Sequence, residues 1–216
     1  MIDLFEAGPR CDARPPYSKE GAFAYLSRCA RPEADDVRTT LEAWLNAYPP
    51  EEADKLAARL RSRRDDQHLA AFFELLLHRL LVGLGHRLVA VEPKLAHTWK
   101  SPDFQLDGFY LEGVSAQGDL HGVLKRKASR YGDLDLPLVV AVNCPDDEAG
   151  VQRALEDLWQ GPHGPQRRIL SAVLVVEQAD PWNWRESRLR LIRHPAPDHP
   201  LPAVDLGDGR RLGELV

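Results

Sequence analysis

Residues 101–114 of this 216-residue chain read Ser-Pro-Asp-Phe-Gln-Leu-Asp-Gly-Phe-Tyr-Leu-Glu-Gly-Val. The dipeptide Asp107-Gly108 stands between two short segments of alternating character, which is the strongest short-range signal for a β-hairpin. A two-residue turn there pairs Leu106 with Phe109, Gln105 with Tyr110, Phe104 with Leu111 and Asp103 with Glu112. The segment therefore predicts two antiparallel strands that bring two carboxylates to one place.

This register separates an apolar face from a polar face that carries both acids, because side chains alternate along a strand. The apolar residues are Phe104, Leu106, Phe109 and Leu111. Opposed residues have Cβ atoms only about 5 Å apart, and like charges at that distance destabilise the pair unless a cation compensates them. Carboxylate oxygens suit Mg²⁺ or Mn²⁺, which complete their shells with water and phosphate oxygens. Asp103 and Glu112 are therefore candidate ligands of a metal-dependent phosphoryl-transfer site.

Composition is that of a globular protein, since a hydrophobic content of 44% is enough for a substantial core. The chain has neither an apolar run of membrane-spanning length nor a secretory signal, so we expect a cytoplasmic location and no membrane partner. Cys11, Cys29 and Cys144 lack Cys-x-x-Cys spacing and are expected to be reduced structural thiols. The formal net charge of -5 argues against bulk coating of nucleic acid but allows a local basic patch.

The rest of the pattern predicts an α/β fold behind an N-terminal helical appendage. Residues 1–64 form the expected appendage, helical throughout from residue 19, with a break at Pro49-Pro50. Residues 65–216 form the expected main domain, which opens with an apolar helix ending at Gly83 or Gly85. After it we expect a strand at 87–92, the hairpin, a helix at 119–131, a buried strand at 136–143, a helix at 151–159 and strands at 168–177 and 189–192. This order defines a mixed sheet with helices.

The element order α-β-β-β-α-β, with Pro102-Asp103 followed by Glu112, resembles the PD-(D/E)xK superfamily, the restriction-endonuclease-like nucleases. The resemblance covers residues 67–143. The chain also resembles a bacterial group within the superfamily, through the motifs at Phe73–His78, Pro102–Phe104, Tyr110–Glu112 and Lys127–Pro137. The resemblance implies a restriction-endonuclease-like αβββαβ core and a metal-dependent nuclease, with DNA favoured over RNA as substrate. Members that cut both strands of a duplex often pair, so a homodimer is one expected assembly.

The resemblance also implies individual roles. Asp103 and Glu112 correspond to ligands of Mg²⁺ or Mn²⁺, and the main-chain carbonyl of Gly113 corresponds to a third. Glu74, on the helix before the sheet, matches an additional acid found in many members, although a paired core acid is the alternative. The superfamily's lysine stands two residues after the second acid, where this chain has Val114.

Lys127 is the best substitute for that lysine, as some members carry the cation on the following helix. It lies three residues after Leu124 and four before Tyr131, on or beside the stripe that should face the sheet. Tyr131 could hydrogen-bond the same cluster. Lys125 points away from the stripe and is the weaker candidate, while a lysine that only reaches solvent is the alternative for Lys127.

Three readings of function stay open. The first is a metal-dependent nuclease acting on nucleic acid, and the second, motivated by Val114, is a degenerate nuclease fold kept as a binding or assembly module. The third adds a protein partner that docks on the N-terminal helices. We expect the cluster Arg59–Arg64 to be a solvated helix end. Trp182–Trp184 should pack on the sheet rather than stack on bases. His86 and His97 are expected to be surface residues.

Overall fold

The computed structural model describes residues 2–95, 100–115, 119–131, 134–144, 148–160 and 168–216. The chain divides into two compact units, Met1–Arg79 with Asp180–Trp182, and Leu80–Ala179 with Asn183–Val216. The domain boundary expected between residues 64 and 65 stays a prediction. Among the described helices, none combines the length and the apolarity that crossing a membrane requires.

The first unit is helical. Its elements are α1 (Ala22–Arg28), α2 (Pro32–Asn46), α3 (Pro50–Leu60) and most of α4 (Asp65–Gly83). The break expected at Pro49-Pro50 is confirmed, but the expectation of unbroken helix before it is wrong. Pro32 is the reason: a proline is well suited to the first position of a helix and disfavours helical geometry in the residue before it. Both α2 and α3 therefore begin at a proline.

The second unit contains a six-stranded mixed sheet in the order β1-β2-β3-β4-β5-β6. Its strands are β1 (Leu88–Val91), β2 (Phe104–Leu106), β3 (Phe109–Ser115), β4 (Leu138–Cys144), β5 (Leu170–Glu177) and β6 (Leu189–Arg193). Strands β3, β4 and β5 run parallel, and the other neighbouring pairs are antiparallel. The unbroken apolar run of β4 is buried, as a central parallel strand requires. The fold class is therefore α/β with a mixed sheet.

The predicted hairpin register is confirmed for three of its four pairs, whereas the pairing of Asp103 with Glu112 stays a prediction, because β2 begins at Phe104. Strands β2 and β3 pair Phe104 with Leu111, Gln105 with Tyr110 and Leu106 with Phe109. The four residues of the predicted apolar face are each at most 1% exposed. Gly108 has φ +99°, in the left-handed region that favours glycine, which explains why the turn is placed there.

Two helices pack on the face of the sheet that carries Tyr110. They are α5 (Leu120–Ala128) and α6 (Glu148–Gln160). One buried cluster joins Tyr110 to apolar residues of both helices and to Val140, Val142, Val173 and Val175 of the central strands. Glu112 is two residues after Tyr110, so its side chain emerges on the same face, under α5.

Candidate functional site

Glu112 is a carboxylate buried in this core, with 1% of its side chain exposed. Its Oε1 accepts hydrogen bonds from Lys127 Nζ and, at 3.1 Å, from an Nη atom of Arg130. Its Oε2 accepts from the hydroxyl of Tyr131 at 2.6 Å. A buried carboxylate is tolerated only when it is paired and hydrogen-bonded, and Glu112 satisfies both conditions.

Lys127 reaches Glu112 because α5 holds it beside the buried stripe of that helix. Asp119 caps the helix by accepting a hydrogen bond from the Gly122 N–H at 2.8 Å. The buried residues of α5 are Leu120, Val123, Leu124 and Ala128, and the Lys127 side chain keeps 19% exposure. The position expected from helical spacing, beside the sheet-facing stripe, is confirmed.

Arg130 is a partner of Glu112 that the sequence reasoning did not single out. Its side chain is 36% exposed, and its guanidinium contacts Glu112. The available signal was spacing, since residues three apart on a helix are neighbours and Arg130 follows Lys127 by three. Two cations therefore share one carboxylate.

Tyr131 fixes the orientation of that carboxylate. Its hydroxyl lies 2.6 Å from Glu112 Oε2 and 3.0 Å from the main-chain oxygen of Ser101. A hydroxyl carries a single proton, and a bond to a charged acceptor is the stronger one, so the carboxylate is the main acceptor. Burial and then the negative charge of Glu112 raise the pKa of Tyr131 above its ordinary value. The group is therefore a neutral donor at neutral pH.

Asp103 lies just before β2, and its Oδ2 accepts the main-chain N–H of Gly113 at 2.7 Å. The N–H of Tyr110 points to the β4 side, where it donates to Pro137. Backbone groups of successive residues alternate between the two edges of a strand, so both the N–H and the C=O of Gly113 point toward the β2 side. Asp103 and the Gly113 carbonyl therefore share one edge of β3.

Val114 lies on the same sheet face as Glu112, two residues further along β3. It is partly buried and packs against the cluster formed with α5 and α6. An apolar side chain suits that position, and it offers no charge to a substrate. The cation near Glu112 comes from α5 instead.

Glu74 belongs to the first unit and has partners there. It is 7% exposed. Its Oε1 accepts from the hydroxyl of Tyr48 at 2.8 Å, and its Oε2 pairs with Arg59. The ring of His78 packs edge-on against Tyr48, with centroids 4.7 Å apart. Burial, and then the charge of Arg79, lower the pKa of His78 to about 4. The charge of Glu74 is thus compensated by Arg59, as expected for a paired core acid. The prediction that Glu74 acts together with Asp103 and Glu112 stays a prediction.

The oxygen donors of Asp103, Glu112 and Gly113 can be compared with what a metal ion requires. Within the described part of the chain, no group of three or more His, Cys, Asp and Glu side chains could hold one. Two carboxylates and a main-chain carbonyl are still a sufficient protein contribution for Mg²⁺, which keeps several waters and often uses only one or two carboxylates. The donor types therefore fit such an ion, although three hydrogen-bond donors already engage Glu112.

The other highlighted residues have ordinary contacts. Arg59, Arg61 and Arg64 each bind an acid or a main-chain carbonyl of the first unit. Trp184 is buried, whereas Trp182 is 42% exposed and packs against Tyr25, with ring centroids 5.6 Å apart. The ring of His86 hydrogen-bonds the main-chain oxygen of Asp205. The three cysteines are free thiols. His97 lies outside the described residues.

Comparisons with known proteins assign no family. No family model matches the chain, and no curated protein matches it. Among solved structures, the chain is similar to one described as the CdiA-CT/CdiI toxin and immunity complex from Burkholderia pseudomallei. The TM-score is 0.39 at 13% identity, over 57% of this chain and 84% of that one. At that TM-score the likeness carries no argument about fold family or function.

Proposed function

We propose that the protein is a metal-dependent phosphodiesterase that cuts nucleic acid, with a restriction-endonuclease-like core formed by α4, the hairpin, α5 and β4. One observation carries the proposal: Lys127, from the helix after the hairpin, contacts the carboxylate of Glu112. An acid of the hairpin and a lysine are the pair that this chemistry needs, and Val114 cannot supply the lysine. Asp103, beside Gly113 on the adjacent edge, completes the set.

Each group would have a distinct task. Asp103, Glu112 and the Gly113 carbonyl would hold Mg²⁺ or Mn²⁺, which when bound would orient and acidify a water molecule for attack on phosphorus. Lys127 would stabilise the negative charge that builds on the phosphate oxygens as the bond to the leaving oxygen breaks. Tyr131 would keep Glu112 oriented by donating its proton to Oε2. Glu74 would be the additional acid that the resemblance implies.

The direct test incubates the full-length protein with plasmid DNA, and separately with RNA, in Mn²⁺ or Mg²⁺. We expect cleavage by the wild type and at least a hundredfold loss in D103N, E112Q and K127M. The matched control is D107N, which changes an exposed acid of the same hairpin. Cleavage that survives all three substitutions, or a wild type that cuts neither polymer, would remove the proposal.

A second candidate is a degenerate nuclease fold that binds or assembles without cutting. The observation that favours it is the complete pairing of Glu112, whose charge Lys127 and Arg130 compensate without a metal ion. Calorimetric titration with Mn²⁺ separates the two candidates. A nuclease binds Mn²⁺ with an affinity that falls in D103N, whereas a degenerate module shows no binding heat in either protein.

We also propose the two assemblies that the sequence predicts. A homodimer would let two copies of the site act on opposite strands of a duplex. Light scattering behind size-exclusion chromatography tests it, because a mass of 24.3 kDa marks the monomer. A protein partner on the helices of the first unit is tested by affinity capture from the native host with the full chain as bait.

A further inference from the structure

Two cations contact one oxygen of the buried carboxylate of Glu112. Lys127 Nζ and an Nη atom of Arg130 both donate to Oε1, while the hydroxyl of Tyr131 donates to Oε2. Glu112 carries a single negative charge, so one cation is enough to compensate it, and two cations at one acceptor repel each other. The second cation is therefore not required to neutralise Glu112.

Arg130 is the charged residue of this cluster that extends furthest into solvent. Its side chain is 36% exposed, against 19% for Lys127 and 1% for Glu112. It follows the last residue of α5, Ala128, by two positions. Arg130 therefore connects the buried carboxylate to the protein surface.

The guanidinium of Arg130 uses little of its capacity for hydrogen bonds. It donates to Glu112 through one Nη atom, and within the described part of the chain its side chain has no second acceptor. By contrast, Arg28 and Arg64 each donate through both Nε and Nη2 to one carboxylate. A guanidinium has five N–H donors in a planar fork that matches two oxygens of a carboxylate or a phosphate. Arg130 thus keeps donors for an acceptor from outside the protein.

We propose that Arg130 binds a backbone phosphate of nucleic acid through the N–H groups that Glu112 does not engage. This inference rests on the proposed function and adds to it a residue that positions the substrate. A phosphate held by Arg130 would lie beside Glu112 and Lys127, the two groups assigned to the reaction. Such a contact positions a strand without reading its sequence. Glu112 limits the contact, because it attracts the same guanidinium.

A purely structural role for Arg130 makes a different prediction. If Arg130 served only to compensate Glu112, its loss would lower the melting temperature and leave nucleic-acid binding unaltered, with or without the carboxylate. If Arg130 binds phosphate, the substitution E112Q frees the guanidinium, so the loss of Arg130 then costs more affinity. The difference between the two backgrounds measures the competition between Glu112 and phosphate.

The experiment measures the Kd of a fluorescein-labelled DNA duplex, and separately of an RNA duplex of the same sequence, by fluorescence anisotropy over a range of salt concentrations. EDTA is present so that metal-dependent cutting cannot occur. The full-length wild type, R130A, E112Q and E112Q/R130A form a double-mutant cycle. Melting temperatures of all the proteins are recorded.

Two controls match the two substitutions. R64A removes an exposed arginine whose fork is already paired with an acid. D107N removes an exposed carboxylate of the same hairpin that is also paired with an arginine. Together they report what the loss of any paired arginine, or of any paired acid, does to binding.

We expect R130A in the E112Q background to lower the magnitude of the slope of log K against log salt by about 0.9, the value for one phosphate contact on duplex DNA. The loss of affinity from R130A should be up to roughly fivefold greater in E112Q than in the wild type, which is the limit for a partly exposed ion pair. The two controls should change neither quantity by a comparable amount. Equal affinities of E112Q and E112Q/R130A, the same loss in R64A, the same gain in D107N as in E112Q, or binding of neither duplex would overturn the inference.

The wild-type background decides the question if E112Q does not fold at the assay temperature. There R130A should weaken binding more than R64A does, and R130K should restore the salt slope because it keeps the positive charge. An affinity of R130A equal to that of the wild type would then overturn the inference.

This test fails separately from the test of cleavage. A wild type that cuts DNA in Mn²⁺, while R130A leaves binding unaltered in both backgrounds, would retain the proposed function and lose the phosphate contact. A wild type that cuts nothing, while R130A weakens binding as expected, would retain the contact and lose the nuclease.

Discussion

The Tyr131 hydroxyl donates to Oε2 of Glu112 at 2.6 Å, so a residue three positions beyond the end of α5 orients a carboxylate on β3. Lys127 and Arg130 engage the other oxygen. The three donors come from five consecutive residues, so a shift of this short segment would alter all of them together. The orientation of Glu112 thus depends on how α5 packs.

The substitution Tyr131→Phe removes one donor and keeps the ring. We expect a loss of about 1–3 kcal/mol in the free energy of unfolding, because the buried Oε2 then lacks its partner. Urea denaturation at pH 7 measures it. The control is Tyr17→Phe, which removes a hydroxyl bonded to Asp12 from an exposed ring and should cost much less. Equal losses in the two variants would contradict the importance of the contact with Glu112.

The substitution Arg130→Ala should tighten binding of Mn²⁺ if the proposed function holds. A cation placed at Glu112 competes with any metal ion for that carboxylate. The Arg130 side chain is partly exposed, so the effect is limited to about 1 kcal/mol, or roughly fivefold in affinity. Calorimetric titration measures the affinity, with Arg126→Ala as the control on the same helix. Weaker binding of Mn²⁺ in Arg130→Ala would show that competition is absent.

Glu74 has two candidate roles, a paired core acid and an additional acid of the metal site, and measurements on variants separate them. A paired core acid contributes to stability through Tyr48 and Arg59. Glu74→Ala should therefore destabilise the fold by about 1–3 kcal/mol, the cost of leaving a buried donor such as the Tyr48 hydroxyl without its partner, since Arg59 is 43% exposed and can be solvated. Glu74→Gln keeps the acceptor for Tyr48 and should cost less. Urea denaturation gives the stability, and Mn²⁺ titration of Glu74→Gln gives the second readout. Unchanged Mn²⁺ affinity in that variant would assign Glu74 to stability alone.

His78 predicts a dependence of stability on pH. Its pKa is about 4 in the folded protein, against an ordinary value of 6.5. The unfolded chain therefore binds the proton more readily, so this contribution is present above pH 6.5 and is lost as pH falls toward 4. The loss is on the order of 3 kcal/mol once both states are protonated. Urea denaturation between pH 7 and pH 4 should show a shallower decline in His78→Gln. Parallel curves for the two proteins would refute the assignment.

The hairpin was determined by local sequence. A glycine able to adopt a left-handed φ, flanked by alternating apolar residues, permits one register, because a shift by one residue would expose Phe104, Leu106, Phe109 and Leu111. The same local rules located the buried strand β4 and the face of α5 that carries Lys127. The helical run before Pro49 was predicted wrongly, although Pro32 was a visible signal for a helix start.

Only the tertiary structure decided which groups compensate the buried acids. Sequence spacing shows that Arg130 follows Lys127 by three residues, but not that both side chains reach the same oxygen of Glu112. Nor could it show that Tyr48 and Arg59 bind Glu74. Turn geometry and side-chain alternation act between near neighbours and can be read from the chain. Ion pairs between distant residues depend on how helices and strands pack, and this information is absent from any short segment of the sequence.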